Sequence, residues 1–429
     1  MSNSTSDLHS RLLRVSEPIA EILRRTHYTP QESSKVSTKD ILLSLLPNTS
    51  PPPRLLNEEQ SLASIKSLSL ACALLSSSRS STHELLSWIP ESLIVAGESA
   101  FSEISRDYFS ENKRLLVIEL LPVVLPELKD GIEGSSMSKD SDAEDVSAAM
   151  ARKPVGYAIL AAHQLRWFVT QVDKPSLSKV CNLVVPCALT ALDHWSPDVK
   201  RQGMISFVHI AKAMSSGDLG PYGDVVLDAC CQNIASDDEI WIHVVELSVL
   251  LVTKLHPFNP RSSWYERIMN EMLGHLERQP RNKERRVAWL TFVEPLLNSL
   301  GLFLLAHFRR IFPLFFQWMH SDDGETVLLV LERVETIVKL TWIRNSPQIP
   351  RLVEELVSLY KESSMRKERD EIRTLIFRIL KLLHECKGLQ FESAWRQYQE
   401  DPNLSTVEEY IRGLSLSEPR EPLVASEVV

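Results

Sequence analysis

Residues 311–342 read IFPLFFQWMHSDDGETVLLVLERVETIVKLTW. An apolar helical run with Pro313 near its start is closed by the turn Ser321-Asp322-Asp323-Gly324, and a second, longer apolar helix follows. That is one helical hairpin. Its second helix is apolar on nearly every side, so it needs neighbours on more than one face, and the simplest neighbours are further hairpins.

The chain supplies them. Turns centred near Lys153, Pro197, Asp238, Asn282, Asp323 and Lys367 leave successive gaps of 44, 41, 44, 41 and 44 residues. These gaps lie inside the roughly 40–47 residues of HEAT or armadillo repeats. Two helices per unit favour HEAT, and Pro186 with Leu192-Asp193 and Val199-Lys200 resembles the HEAT consensus of a proline, a leucine-aspartate and a valine-basic pair. Pro313, Met319 and Val327 keep nearly the same offsets. The expected fold is all-α, a right-handed α-α superhelix of HEAT/ARM-like repeats. Thirteen glycines in 429 residues agree, since few positions then favour positive φ.

Around this array the expected organisation is an N-terminal helix and Ser/Pro-rich linker over 1–54 and irregular helical repeats over 55–128. An acidic insertion follows over 129–152, expected to be disordered because it has too little apolar surface to offset ordering entropy. Regular repeats occupy 153–387, capping helices 388–414 and a polar tail 415–429.

Lys plus Arg number 47 against 56 Asp plus Glu, and the net charge of −9 argues against nucleic acid as the main partner. The basic run Arg278–Arg286, RQPRNKERR, lacks interleaved aromatics and reads as a solvated turn or a protein-docking site. No apolar run reaches the roughly eighteen residues of a membrane span, and the N-terminus has no signal-peptide pattern. Cys72, Cys181, Cys187, Cys230, Cys231 and Cys386 form no C-x-x-C pair and suit buried thiols in a reducing compartment, so a cytoplasmic or nuclear location is expected.

His83-Glu84 opens an H-E-x-x-H look-alike that fails at Ser87, where the second metal ligand would stand. His163, His209 and His307 read as structural histidines, and no nucleophile elbow, P-loop or dinucleotide fingerprint occurs. We therefore expect no catalytic, cofactor, metal or small-molecule site. Most of the nine tryptophans fit inter-repeat core, with Trp195, beside a turn, the most plausible exposed one.

At about 100° per residue, Glu239, His243, Glu246 and Thr253 share one narrow helical face. Glu284, Thr291, Glu294 and Asn298 do the same in the next repeat, and Glu325, Glu332, Glu335 and Lys339 in the one after. The rest of each helix is largely apolar. This polar stripe on successive second helices is the candidate partner-binding surface, set against a merely solvated face.

The segments PLFFQWMHSDDGETVLLVLERVETIVKLTW and VVPCALTALDHWSPDVKRQGMISFVHI resemble the helical repeats of the Tel-two-interacting protein two family, the small subunit of the Triple T complex. The likeness is clearest over residues 155–345. It implies a non-catalytic co-chaperone subunit assembled with two larger helical-repeat partners. Through the ninety-kilodalton heat-shock chaperone machinery, such a subunit would support maturation of phosphatidylinositol-3-kinase-like kinases. A karyopherin-like or other HEAT adaptor binding protein cargo is the alternative. Within the insertion, Asp140-Ser141-Asp142-Ala143-Glu144 resembles the acidic phosphoserine motif read by the PIH-domain adaptor of that machinery. It departs at Ala143, and makes Ser141 a candidate phosphosite against an unmodified solubilising loop.

Overall fold

The Ser321–Gly324 turn folds as its residues dictate. The Asp323 carboxylate accepts from Thr326 N at 2.9 Å and caps the following helix, satisfying one of the amide groups that a helix start leaves without a partner. Trp318 Nε1 donates to Pro280 O at 2.8 Å, so the helix before the turn is tied to the preceding hairpin. Met319 and Val327, on the two sides of the turn, are fully buried.

The computed structural model describes residues 3–30, 36–47, 58–109, 113–135, 153–343 and 347–413. They contain helices and turns and no strand. The chain divides into two compact units, Met1–Leu255 and His256–Val429. In the first, the helices are α1 (Asn3–Arg25), α2 (Thr38–Leu45), α3 (Glu58–Ser78), α4 (Glu91–Phe109), α5 (Lys113–Glu133) and α6 (Val155–Thr170), followed by α7 (Cys181–Leu192), α8 (Pro197–Ala213), α9 (Gly223–Asn233) and α10 (Asp238–Leu255). In the second they are α11 (Ser263–Arg278), α12 (Lys283–Phe292), α13 (Glu294–Leu300), α14 (Phe308–Met319), α15 (Gly324–Thr341), α16 (Gln348–Glu362), α17 (Arg369–Trp395) and α18 (Ser405–Ile411). A 3-10 segment, Gly301–His307, joins α13 to α14.

Each unit has two layers. In the first, α3, α6, α8 and α10 stack in one layer and α4, α5, α7 and α9 in the other. In the second, α12, α15 and α17 form one layer and α11, α14 and α16 the other. Hairpins stacked in this way bury both helical layers against their neighbours, which is the HEAT-type solenoid expected from the 41–44-residue spacing. The turns between paired helices fall at 193–196, 234–237, 279–282, 320–323 and 363–368. Aromatic packing holds the second unit together at its middle: Trp289 lies 6.1 Å from both Phe315 and Trp318, and Phe308 packs edge-on against Phe312 at 4.9 Å.

Some sequence expectations need correction. Lys129–Glu133, assigned to the acidic insertion, complete the last turn of α5 because Ile132 is buried and anchors them. The remainder from residue 136 to 152, including Ser141, lies outside the described residues, as do 31–35 and 48–54 of the linker region, 55–57 of the irregular repeats and the tail 415–429. Helix α15 ends at Thr341, with Trp342 beyond it in a left-handed conformation. Two stretches, Ser61–Ser78 and Glu294–Met319, are long and apolar enough to cross a membrane by length and composition. The second is two helices and a 3-10 segment in the fold, and 44% of it is buried.

Candidate functional site

Taken unit by unit, the residues of the polar stripe lie on α10 in the first and on α12, α13 and α15 in the second, and most of the acids are already paired. In the first unit, Arg201 of α8 reaches Glu239 of α10 at 3.0 Å, and Lys212 reaches Glu246 at 2.7 Å. His243, half-buried between them, has its pKa lowered chiefly by burial and further by Arg201, against the opposing charge of Glu246. Thr253 bonds back to Val249 O at 2.7 Å. Each acid is therefore met by a base from the preceding repeat.

In the second unit the bases come from the preceding repeat, the following repeat or the same helix. Lys283 of α12 lies 3.6 Å from both Asp323 and Glu325, and Arg286 donates to Asp323 and to Thr326 Oγ1. These bonds hold the Asp323 carboxyl at about 2: burial would raise it, but the bonds from Thr326 and Arg286 outweigh that. Arg333 of α15 lies 2.6 Å from Glu294 and 3.0 Å from Glu332. Glu335 is buried and receives Lys339 and Arg378, each at 2.7 Å. Glu284, Thr291 and Asn298 are exposed, and Glu284 enters no ion pair among the described residues.

The same pattern explains the HEAT-like basic positions. Lys200 Nζ donates to Asn233 Oδ1 at 2.8 Å, and Asn233 Nδ2 donates to Leu192 O at 3.3 Å, so one amide clips the next hairpin to the turn before it. The Arg278–Arg286 run is largely absorbed likewise: Arg285 is buried beside His275, Arg286 is held by Asp323, and Lys283 faces two acids. Its charge serves the next repeat.

Other singled-out residues are structural. His83 Nδ1 accepts from Leu85 N at 3.1 Å as a helix cap, and its Nε2 faces Asp198 at 3.6 Å. His163 is buried and its pKa is lowered to about 3, first by burial and then by the Arg166 charge. His209 meets Val172 O at 2.8 Å. Trp195 is 52% exposed, stacks on His194 and donates from Nε1 to Ser135 O at 3.0 Å. With Val36, His83, Pro154 and Asp198 it lines a cleft of about 430 Å³. Sequence reasoning missed Trp342, which is 61% exposed. The signal available was its place at the end of a helix whose apolar repeat stops there.

No known protein-family profile matches the chain. Uncharacterized protein At2g39910 of Arabidopsis thaliana is 80% identical over 424 residues, which is 96% of each chain. TELO2-interacting protein 2 of Homo sapiens is 22% identical over 213 residues, covering 46% of this chain and 41% of the human protein. Kap95p, in a solved structure with RanGDP, aligns at a TM-score of 0.53 and 15% identity over 93% of this chain and 47% of that one. The chain thus spans less than half of the human relative and of the solved chain. The Kap95p likeness is one of fold, and the resemblance read in the repeats is shown by the human match. Together they describe a helical-repeat scaffold.

Proposed function

We propose, for a chain that belongs to the family of the Arabidopsis thaliana protein At2g39910, that it is a non-catalytic scaffold, the small subunit of a Triple T-type co-chaperone complex. It would be held by two larger helical-repeat subunits and support maturation of phosphatidylinositol-3-kinase-like kinases in the cytoplasm or nucleus. The observation that carries this reading is the similarity to TELO2-interacting protein 2 over 213 residues. The solenoid supports it, because a stack of hairpins presents extended protein-sized surfaces rather than an enclosed pocket. Among the acids proposed for a partner, Glu284 of the second unit is exposed and enters no ion pair among the described residues, whereas Glu239 and Glu325 are exposed but already face Arg201 and Lys283. Affinity purification of the tagged full chain followed by mass spectrometry tests the reading. Recovery of the two larger Triple T subunits is expected. Recovery of a small GTPase with nuclear-pore proteins would replace it with a karyopherin-like adaptor, and neither set would overturn both.

A further inference from the structure

The connections leading into the first helices of the second unit's hairpins carry a feature the repeat pattern does not require. Residues 256–262 expose Phe258 at 96%, and Gly301–His307 exposes Leu302 and Phe303 at 46% and 42%. After α15, Trp342 is exposed at 61%. The first two segments adjoin, with the Arg261 guanidinium 5.6 Å from the centre of the Phe303 ring, and Gly301–His307 packs against α15, the helix that Trp342 caps.

Trp342 is held there at a cost. It sits at φ 53, ψ 23, and Ile343 follows at φ 40, in the left-handed region that side-chain-bearing residues rarely adopt. Ile343 is fully buried, so the backbone turns to sink the isoleucine and leaves the tryptophan in solvent. Burial explains one of the two strained residues and gives no reason for the other to be aromatic.

The connections at this edge carry charge of one sign. Residues 256–262, 301–309 and 340–343 contain no aspartate or glutamate. Arg261 and Arg309 are exposed and enter no ion pair among the described residues, and the one acid in the first turn of α11, Glu266, acts on His307, while Arg267 lies over the Trp264 ring. Exposed aromatics beside unpaired arginines have the composition of energetic centres in protein interfaces.

We propose that this edge docks an acidic segment of a protein partner, whose apolar side chains cover Phe258, Phe303 and Trp342 while its carboxylates meet Arg261 and Arg309. The proposal rests on the scaffold reading. Aromatics delivered one connection at a time suit a linear segment running along the stack, whereas a lipid surface calls for a contiguous apolar face.

The test uses the full chain and a fluorescein-labelled peptide of about 20 residues with leucines at helical spacing and glutamates elsewhere, beside its lysine-for-glutamate counterpart. The glutamate peptide should bind, with affinity falling as salt rises, and the lysine peptide should not. Phe258→Ser with Phe303→Ser and Trp342→Asn should weaken binding at least about tenfold with unchanged circular dichroism; asparagine suits the left-handed backbone. A benzoyl-phenylalanine crosslinker at position 258 in the chain co-expressed with the two larger Triple T subunits should label an acid-rich segment of one of them. Equal binding of both peptides, an unaffected variant, or capture of phosphatidylserine vesicles in place of the peptide would overturn the proposal. Failure of the wild-type chain to co-purify those subunits would instead overturn the scaffold reading, with the peptide titration still deciding this edge.

Discussion

Arg333 of α15 reaches back to Glu294, the first residue of α13, and places Nη1 2.6 Å from its Oε2 with a side chain only 7% exposed. The glutamate is therefore a structural partner of a buried cation. We predict that Glu294→Lys costs roughly 2 kcal/mol, because the guanidinium keeps only Glu332 and gains a like charge. Glu284→Lys, at an exposed position of the same stripe, should change stability by less than about 0.5 kcal/mol. Urea midpoints at constant slope measure both, and equal effects would contradict a structural role for the Arg333–Glu294 pair.

His320, at the end of α14, lies 2.8 Å from Glu355 through Nε2 and 2.8 Å from Glu362 through Nδ1. Burial alone would lower its pKa, but the bonds and charges of Glu362 and Glu355 outweigh that and raise it above 6.5. A raised histidine stabilises fully below its unfolded value, and that contribution disappears as pH rises through the folded value. Arg351, 2.5 Å from Glu355, competes for one carboxylate. The stability gap between wild type and His320→Gln should thus be larger at pH 6 than at pH 8, read by paired urea titrations. A gap that widens with pH would exclude this charge state.

Gly203 lets α8 close on α7. A Cβ at this position would meet Ala191 Cβ at 2.9 Å and Leu192 N at 3.1 Å, and the second of these is backbone that cannot swing away. Gly203→Ala gains helix propensity yet should destabilise by about 1–3 kcal/mol through overpacking. Thermal unfolding of the variant checks this, and a higher midpoint would mean that the hairpin can open without loss.

Burial pushes the thiols of Cys72, Cys187 and Cys230 up to about 12. At pH 8 an alkylating reagent should reach the half-buried Cys181 and Cys386 first in the folded chain, and all six cysteines in denaturant. Peptide mapping after timed quenching distinguishes the two groups. Early labelling of Cys72 would place the opening of α3 among the fast local motions.

The hairpin spacing was legible because turn chemistry and apolar periodicity recur at one interval: Asp323 as a cap and Pro197 at a helix start are local signals with local causes. The spacing of the stripe's polar residues along each helix was legible, but their pairing with the neighbouring helices was not. Glu239 looks identical in sequence whether it faces water or Arg201, and the pair joins residues 38 positions apart. Trp342 was hidden by a related limit: helical periodicity predicts which residues are buried within a helix, whereas its exposure follows from Ile343 being drawn inward after the helix has ended. The boundary at Lys129 was misread because charged residues set the local composition while Ile132 decided the packing.

Arg286 meets Asp323 across 37 residues of sequence, and that interval has a meaning during synthesis. At about 5–20 residues per second a ribosome takes roughly 2–7 s to deliver the acid after the base. For that time α12 carries a cation with no counter-charge from α15 and an apolar face with no cover. A nascent chain built this way stays adhesive one hairpin behind its growing end, so a pause in translation between residues 286 and 323 should prolong its exposure to chaperones and proteases.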